Sequence, residues 1–305
     1  MYLLLLLVLA LTVLLPLFYI GRLFRLDDPS FSHWLLSLLE AAVVLALIML
    51  VGRWDIAGLY TFYALALLLA LATIVSFLRH VRRPWRAEAS LPLWKARPVA
   101  LLTIAAFAGV LVWIGSGLVS GPTPRALAFP LEGGPFIVGQ GGNHSLLNHH
   151  HGHREQRHAA DIVALGPAGF RATGLLPEEV TGYAIFGARV VSPCAGRVVV
   201  VRDGVPDLVP PRMDPENPPG NHVIIACDGL RIMLAHLKQG SITVVEGERL
   251  AEGDFIGRVG NSGNTSEPHL HVHAYNAETG EGVQVAFDGA VPIRNRIYSR
   301  PSAAP

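Results

Sequence analysis

Four long apolar runs crowd the first 120 residues of the chain: roughly Leu3–Ile20, Trp34–Val51, Ile56–Leu78 and Val99–Val119. A helix needs ~20 mostly apolar residues to cross a bilayer, and each run comes close to that length. A helix buried at the edge of a soluble core keeps a polar face. These runs show barely any, and they follow one another almost without interruption. They are expected to form an all-α transmembrane region of four helices. The first run does not read as a cleaved signal. It lacks a positively charged start, its apolar stretch is long, and no small-residue cleavage site follows.

Charge divides the chain at the same place. Residues 1–124 carry nine Lys and Arg against five Asp and Glu, and residues 125–305 carry fifteen against eighteen. The whole chain stands at +1, with no basic excess to suggest nucleic acid as a partner. Two regions in different solvents follow: a membrane domain over 1–122, a Gly/Pro-rich linker over 123–135, a soluble domain over 136–292 and a tail over 293–305. Orientation is read from the short loops, because Lys and Arg gather on the cytoplasmic side. The connector between runs three and four holds Arg79, Arg82, Arg83, Arg86, Lys95 and Arg97, and the connector after run one holds Arg22 and Arg25. The turn with Arg53 and Asp55 is nearly neutral. Both termini, and with them the soluble domain, are then expected outside the cytoplasm of a bacterial inner membrane. Glu40 falls inside the second run. Such a charge near a helix end is commonly paired with a neighbouring helix, and no function is assigned to it.

The soluble half is a series of short Val- and Ile-rich runs separated by Gly, Pro and Asp. They are Phe136–Val138, Ala160–Ala164, Arg189–Val191, Arg197–Val201, His222–Ala226, Arg231–Leu237, Ser241–Val245, Phe255–Val259 and His269–Ala274. That pattern predicts an all-β domain. The proline-rich stretch 205–221 predicts an irregular surface loop, a candidate wall for a groove. Cys194 and Cys227 each stand beside a strand-like run. An oxidising compartment permits a disulfide between them, and neither has the Cys-x-x-Cys partner of a thiolate metal site.

The segment Glu267-Pro-His-Leu-His-Val-His273 carries the chemistry. On a strand, residues 269, 271 and 273 point to one face. Two or three imidazoles there, with an aspartate and another His from elsewhere, are what a catalytic Zn²⁺ requires. The Gly-rich run 253–266 before it reads as a tight loop that delivers the strand to a cleft. No His-Glu-x-x-His helix and no Gly-x-Ser-x-Gly elbow is present.

Three further islands complete a pattern: Asn148-His-His-His151 with Gln156-Arg-His-Ala-Ala-Asp-Ile-Val163; Gly220-Asn-His-Val-Ile-Ile225; and Met233-Leu-Ala-His-Leu237. In this order, ending in Gly260-Asn-Ser-Gly-Asn-Thr and Pro-His-Leu-His, they resemble the M23 family of zinc metallopeptidases. These are the LytM/lysostaphin-type enzymes, which mostly cut peptidoglycan cross-links. The resemblance covers about residues 136–290. It implies an all-β fold of the duplicated-hybrid-motif type, one Zn²⁺ per chain, Asp161 and His271 as metal ligands, and His236 and His269 as catalytic residues. The family places its first His ligand four residues before the aspartate, where this chain has Arg157. His158 stands three residues before it, on the opposite face of a strand. The match of a family branch with a longer loop falls on His150, with His149, His151 and His158 as the alternatives. His144, His153 and His222 are expected as surface or supporting residues, and His273 as a supporting rather than a ligating one.

The expectation is a membrane-anchored zinc metalloendopeptidase acting on peptidoglycan peptides, with the lipid bilayer as its other partner. The alternative is a non-catalytic regulator of the same fold, acting on other wall hydrolases. A transporter or sensor reading finds only Glu40 as an internal charge.

Overall fold

The computed structural model describes residues 2–87, 92–119 and 121–300. It forms two compact units, Met1–Ser116 and Gly117–Pro305. The first holds α1 (Tyr2–Arg25), α2 (Phe31–Val51), α3 (Trp54–Ala57), α4 (Leu59–His80), α5 (Leu93–Ala96) and the start of α6 (Pro98–Val119). Four of these are long and apolar enough to cross a membrane, over Leu5–Arg25, Phe31–Val51, Leu59–His80 and Pro98–Val119. Local chemistry sets their ends. The Ser30 hydroxyl accepts from the His33 N–H and caps α2, satisfying one of the donors a helix start leaves open. Gly58, at φ 91°, separates α3 from α4. Pro98 opens α6, where its missing N–H is no loss.

Among the described residues, several buried polar groups of this unit are paired, as a segment able to cross a bilayer requires. Glu40 on α2 is buried and meets Arg22 on α1. Buried Asp28 engages Arg97 and accepts from Ser37 Oγ at 2.9 Å, while its backbone N–H donates to His80 Nε2 at 2.9 Å. Trp34 Nε1 donates to Ser76 Oγ at 2.7 Å and ties α2 to α4. Arg79 reaches the Phe24 carbonyl and Arg83 reaches Asp27. The connectors after α1 and α4 therefore lie at one end of the unit.

The second unit is built from strands: β1 (Arg125–Leu127), β2 (Gly133–Gln140), β3 (Ala160–Ala164), β4 (Arg189–Val191), β5 (Gly196–Arg202), β6 (Asn221–Cys227), β7 (Leu230–Leu237), β8 (Arg249–Leu250), β9 (Phe255–Arg258), β10 (Leu270–Asn276), β11 (Gly282–Val283), β12 (Val285–Phe287) and β13 (Ile297–Arg300). The main sheet runs β13-β2-β3-β10-β7-β6-β5-β8, with β11 on the end of β10, and β1–β12 and β4–β9 form separate pairs. From residue 121 on, the described residues hold no α-helix, only two short 3-10 turns. The core lies under the sheet. Phe129, Phe136, Ile162, Leu234, Leu270, Val272 and Phe287 are all at most 2 % exposed there.

Most strands fall where the alternation places them. Ser241–Val245 is a correction: it is irregular, held to its neighbour by one backbone bond, Thr243 N–H to Ile256 O at 2.9 Å. The segments expected as linker and tail also enter the fold. β1 pairs with β12, and β13 pairs with β2; residues 301–305 lie outside the described residues. Strands of three or four residues carry too little alternation to stand out among flanking Gly and Pro. Cys194, in the turn before β5, is disulfide-bonded to Cys227 at the end of β6, with Cα atoms 6.5 Å apart.

Candidate metal centre

Strand β10 sits between β3 and β7, and its register sets the site. His271 lies opposite Asp161 on one side and Ala235 on the other. The pleat sends Leu270, Val272 and Ala274 into the core and leaves His269, His271 and His273 on the other face. Asp161 alternates in the same way between core residues Ala160 and Ile162 of β3. One aspartate and one row of histidines are thus brought face to face by two neighbouring strands.

His236 reaches this face by a different device. Even positions of β7 point inward, as Leu230, Ile232 and Leu234 do, so strict alternation would bury His236 in the core with them. Two features prevent it. The pairing with β6 slips by one residue, from Val223↔Leu234 to Asn221↔Leu237. His236 itself takes φ 60°, a left-handed conformation that costs a non-glycine residue about 1–3 kcal/mol. The extra residue is a β-bulge, which re-aims a side chain. Leu237 resumes the core row, and His236 turns to the cleft.

His150 comes from the loop before β3, in a 3-10 turn at His149–Gly152. Asn148 holds that turn. Its side-chain oxygen accepts from the His150 N–H at 3.0 Å, and its amide nitrogen lies within 3.1–3.2 Å of the carbonyls of Gly142, Arg157 and Ala159. Asn148 is fully buried. Its part in positioning is not legible from strand alternation; the one signal in the sequence is an Asn just before a His run, which favours a cap.

The five expected residues converge. His150 Nε2 lies 3.1 and 3.0 Å from the two Asp161 oxygens, and His271 Nδ1 lies 2.8 Å from Oδ1. His269 Nε2 is 3.6 Å from Oδ1. The His236 and His269 rings are 4.7 Å apart, as are those of His150 and His271. Ligand atoms of His149, His150 and Asp161 fall within 4.8 Å of one another, and so do those of His236, His269 and His271. Both groups border one cleft of about 320 Å³, lined also by His153, Gln156, Pro218, Pro219, Met233, Ala235 and Asn264. Pro218 and Pro219 belong to the proline-rich loop. Among the alternatives to His150, His149 stands beside it with its Nδ1 4.0 Å from Asp161 and its side chain 60 % exposed. His151 and His158 do not line the cleft. Their Nδ1 atoms are buried and find no hydrogen-bond partner among the described residues.

Electrostatics at the site favour a cation. Burial alone would raise the Asp161 carboxyl. The neighbouring His269 and His150, with the close polar contacts of His150 and His271, outweigh that and hold it well below the usual range. Burial lowers His271 to about 3, only partly offset by Asp161, and pushes His236 well below its ordinary value with help from His269 and His271. Burial also lowers His150, but the Asp161 charge and hydrogen bonds donated to Asp161 and Gln156 outweigh it and leave it raised.

A proton count makes the same point. His271 Nε2 meets His273 Nδ1 at 2.9 Å, and His273 Nε2 meets Glu155 Oε1 at 3.3 Å. From Asp161 to Glu155 there are three gaps, and ionised carboxylates accept only. If each imidazole carries a single N–H, two hydrogens serve three gaps and one gap lacks a hydrogen. A cation held by His271 and Asp161 would remove the deficit. His150, Asp161 and His271 offer mixed nitrogen and oxygen donors of the kind that could hold Zn²⁺.

His158 provides a test apart from the cleft. Burial, aided by Arg157 and His151, lowers it to about 4, whereas in the unfolded chain it titrates near ~6.5. The folded state therefore refuses a proton that the unfolded state accepts. This contribution is complete above pH 6.5 and is lost as the pH falls toward 4. In denaturant unfolding of the zinc-stripped chain in detergent, His158 should account for a loss of about 2 kcal/mol between pH 7 and pH 5. His158→Gln should flatten the profile by that amount, and an unchanged pH slope in the variant would contradict the assignment.

Residues 181–294 match Peptidase family M23, and they lie within the sheet-rich unit. The match contains His236, His269 and His271; His150 and Asp161 precede it. No curated protein matches the chain. Among solved structures, a protein from Pseudomonas aeruginosa assigned to peptidase M23 is 16 % identical, over 60 % of this chain and 56 % of that one, at a TM-score of 0.29. A zinc containing peptidase from Vibrio cholerae is 20 % identical over 41 % of this chain and 45 % of that one, at 0.26. The catalytic domain of lysostaphin from Staphylococcus simulans is 16 % identical over 57 % of this chain and 92 % of that one, at 0.28. The chain spans about half the length of the first two. Likeness this loose carries no argument about single residues.

Proposed function

We propose that this Peptidase family M23 domain is a zinc metalloendopeptidase held at the outer face of a bacterial cytoplasmic membrane, cutting peptide cross-links of peptidoglycan. The observation that carries the reading is the convergence on Asp161 of His150, His271 and His269, with His236 beside them on one cleft. In this reading His150, Asp161 and His271 hold one Zn²⁺ per chain, and the peptidase domain extends over about 136–292. When bound, the metal supplies an acidified water and an electrophilic charge for the scissile carbonyl.

The remaining roles belong to the chain's own side chains. His236 Nδ1 lies 2.9 Å from the Ser262 carbonyl, and His269 Nδ1 lies 2.9 Å from the Glu267 carbonyl. Carbonyls only accept, so each ring donates a hydrogen from Nδ1 and leaves Nε2 as the atom for the reacting groups. Both Nε2 atoms are suited to take a proton from water. His269 Nε2 stands 3.6 Å from Asp161, so a proton arriving there is stabilised by the carboxylate. His269 is the proton acceptor that later serves the leaving amine, and His236, kept neutral by burial, orients the reacting groups. The apolar stretch of the wall, from Pro218, Pro219, Met233 and Ala235, excludes water around an extended peptide.

Sidedness is supported by charge. The end of the helical unit that gathers Arg79, Arg83 and Arg97 with Asp27 and Asp28 is the cytoplasmic end. α6 starts there and is 22 residues long, so the chain leaves it on the far side. A Cys194–Cys227 disulfide suits that compartment. The test uses the full chain in detergent, loaded with zinc and given cross-linked muropeptides. Release that disappears with chelation supports the reading. Tight zinc binding without release would favour the non-catalytic regulator.

A further inference from the structure

Behind His271 the structure contains a second layer that the hydrolytic reading does not use. His273 is 1 % exposed, lies two residues further along β10, and has no access to the cleft lining. Its Nδ1 faces His271 Nε2 at 2.9 Å, and its Nε2 faces Glu155 at 3.3 Å. Glu155 comes from the same long loop as His150, after the 3-10 turn, and its side chain is 46 % exposed. Nothing in the proposed chemistry requires a third histidine on this strand or a carboxylate at its back.

We propose that Glu155 and His273 form an imidazole–carboxylate relay that fixes the tautomer of His271 and so sets the metal affinity of the centre. An ionised carboxylate at Glu155 requires N–H at His273 Nε2. The neutral His273 ring then has a lone pair at Nδ1, which requires N–H at His271 Nε2. The neutral His271 ring is left with its lone pair at Nδ1, the atom 2.8 Å from Asp161, where a metal needs it. Without Glu155 the two rings are free to reverse. Nδ1 of His271 then carries hydrogen toward Asp161, an arrangement satisfied without metal and closed to it. Ring partners of this kind are worth ~10–100-fold in metal affinity. Because the two residues act in series, removing either should cost what removing both costs. Tyr275, whose ring lies 5.7 Å from that of His273, packs the relay from the β10 side. Glu155 is therefore a positioning residue that acts on the metal through two imidazoles, from a loop that the hydrolytic reading credits only with His150. The proposal rests on the zinc reading above.

The experiment measures zinc affinity, not activity, by competition between the full chain in detergent and a chromogenic chelator. Glu155→Ala is expected to weaken zinc ~10-fold or more, His273→Ala by ~10–100-fold, and the double variant no more than the worse single one. Glu155→Gln keeps an accepting oxygen and should stay within about threefold of the parent chain. His273→Glu accepts directly from His271, so it should bind well and no longer respond to Glu155→Ala. If His273→Ala fails to fold, the half-exposed Glu155 variants decide alone. Unchanged affinity in Glu155→Ala, or additive losses in the double variant, overturns the relay while leaving the zinc reading intact. A parent chain that binds no zinc overturns both.

Discussion

His271→Ala is expected to leave the full chain folded, to remove its zinc and to lower muropeptide release by at least ~10³-fold. The size follows from what the metal contributes. Moving the ionisation of water from 15.7 to near 7 is the largest single gain open to this site, and two ligands do not hold a catalytic Zn²⁺. The fold is expected to persist because Asp161 keeps His150 at 3.0 Å and His269 at 3.6 Å, so its charge is not left alone. The core row Leu270, Val272 and Ala274 points the other way. Metal analysis of the purified variant and chromatography of released peptides check the two halves separately. Release at the parent rate, or a full equivalent of zinc, would remove His271 from the site.

Arg171→Met should produce the second large effect, on stability and turnover together. The Arg171 guanidinium is 3 % exposed and grips Glu267 through Nε at 2.9 Å and Nη2 at 2.6 Å, also reaching the Leu175 carbonyl at 3.1 Å. It pins the loop between β3 and β4 to the approach of β10. The Glu267 carbonyl in turn accepts from Thr265 Oγ1 at 2.7 Å and faces His269 Nδ1 at 2.9 Å. Removing one partner of a buried pair leaves the other charge desolvated, at a cost of about 3 kcal/mol. For a unit of this size that corresponds to a melting temperature about 6–12 °C lower. A loosened Glu267 backbone also lets the His269 ring turn, so kcat should fall about 10-fold while KM changes little. A purely structural role would lower the amount of active protein without changing turnover per zinc bound. Scanning calorimetry and steady-state kinetics normalised to bound zinc separate the two outcomes.

Legibility in the sequence varied with the physical signal. The four spans were plain because a run of ~20 apolar residues has few other readings. The shared face of His269, His271 and His273 was readable because strand alternation is a strict period of two, and the core row of β10 obeys it; Asp161 and the division of roles rested on the family resemblance. His236 was not readable that way. Its position in β7 belongs to the inward row, and only the bulge and the left-handed turn bring it to the cleft. The family resemblance, not the alternation, pointed to it. The loop before β3 was the hardest part. Four histidines stood as candidates, and choosing among them depends on how Asn148 folds a 3-10 turn, which no periodicity encodes. The strands at 125–127 and 297–300 were too short to rise above their Gly and Pro neighbours. Glu40 drew no role from the sequence, and its pairing with Arg22 accounts for it as a packing feature between α1 and α2.

The most direct test of the central claim is mass spectrometry of purified peptidoglycan after incubation with the full chain. Cut cross-links are expected with the zinc-loaded protein, none after chelation, and recovery when about one equivalent of zinc per chain is returned. Intact peptidoglycan in the presence of a chain that demonstrably holds its zinc would contradict the account.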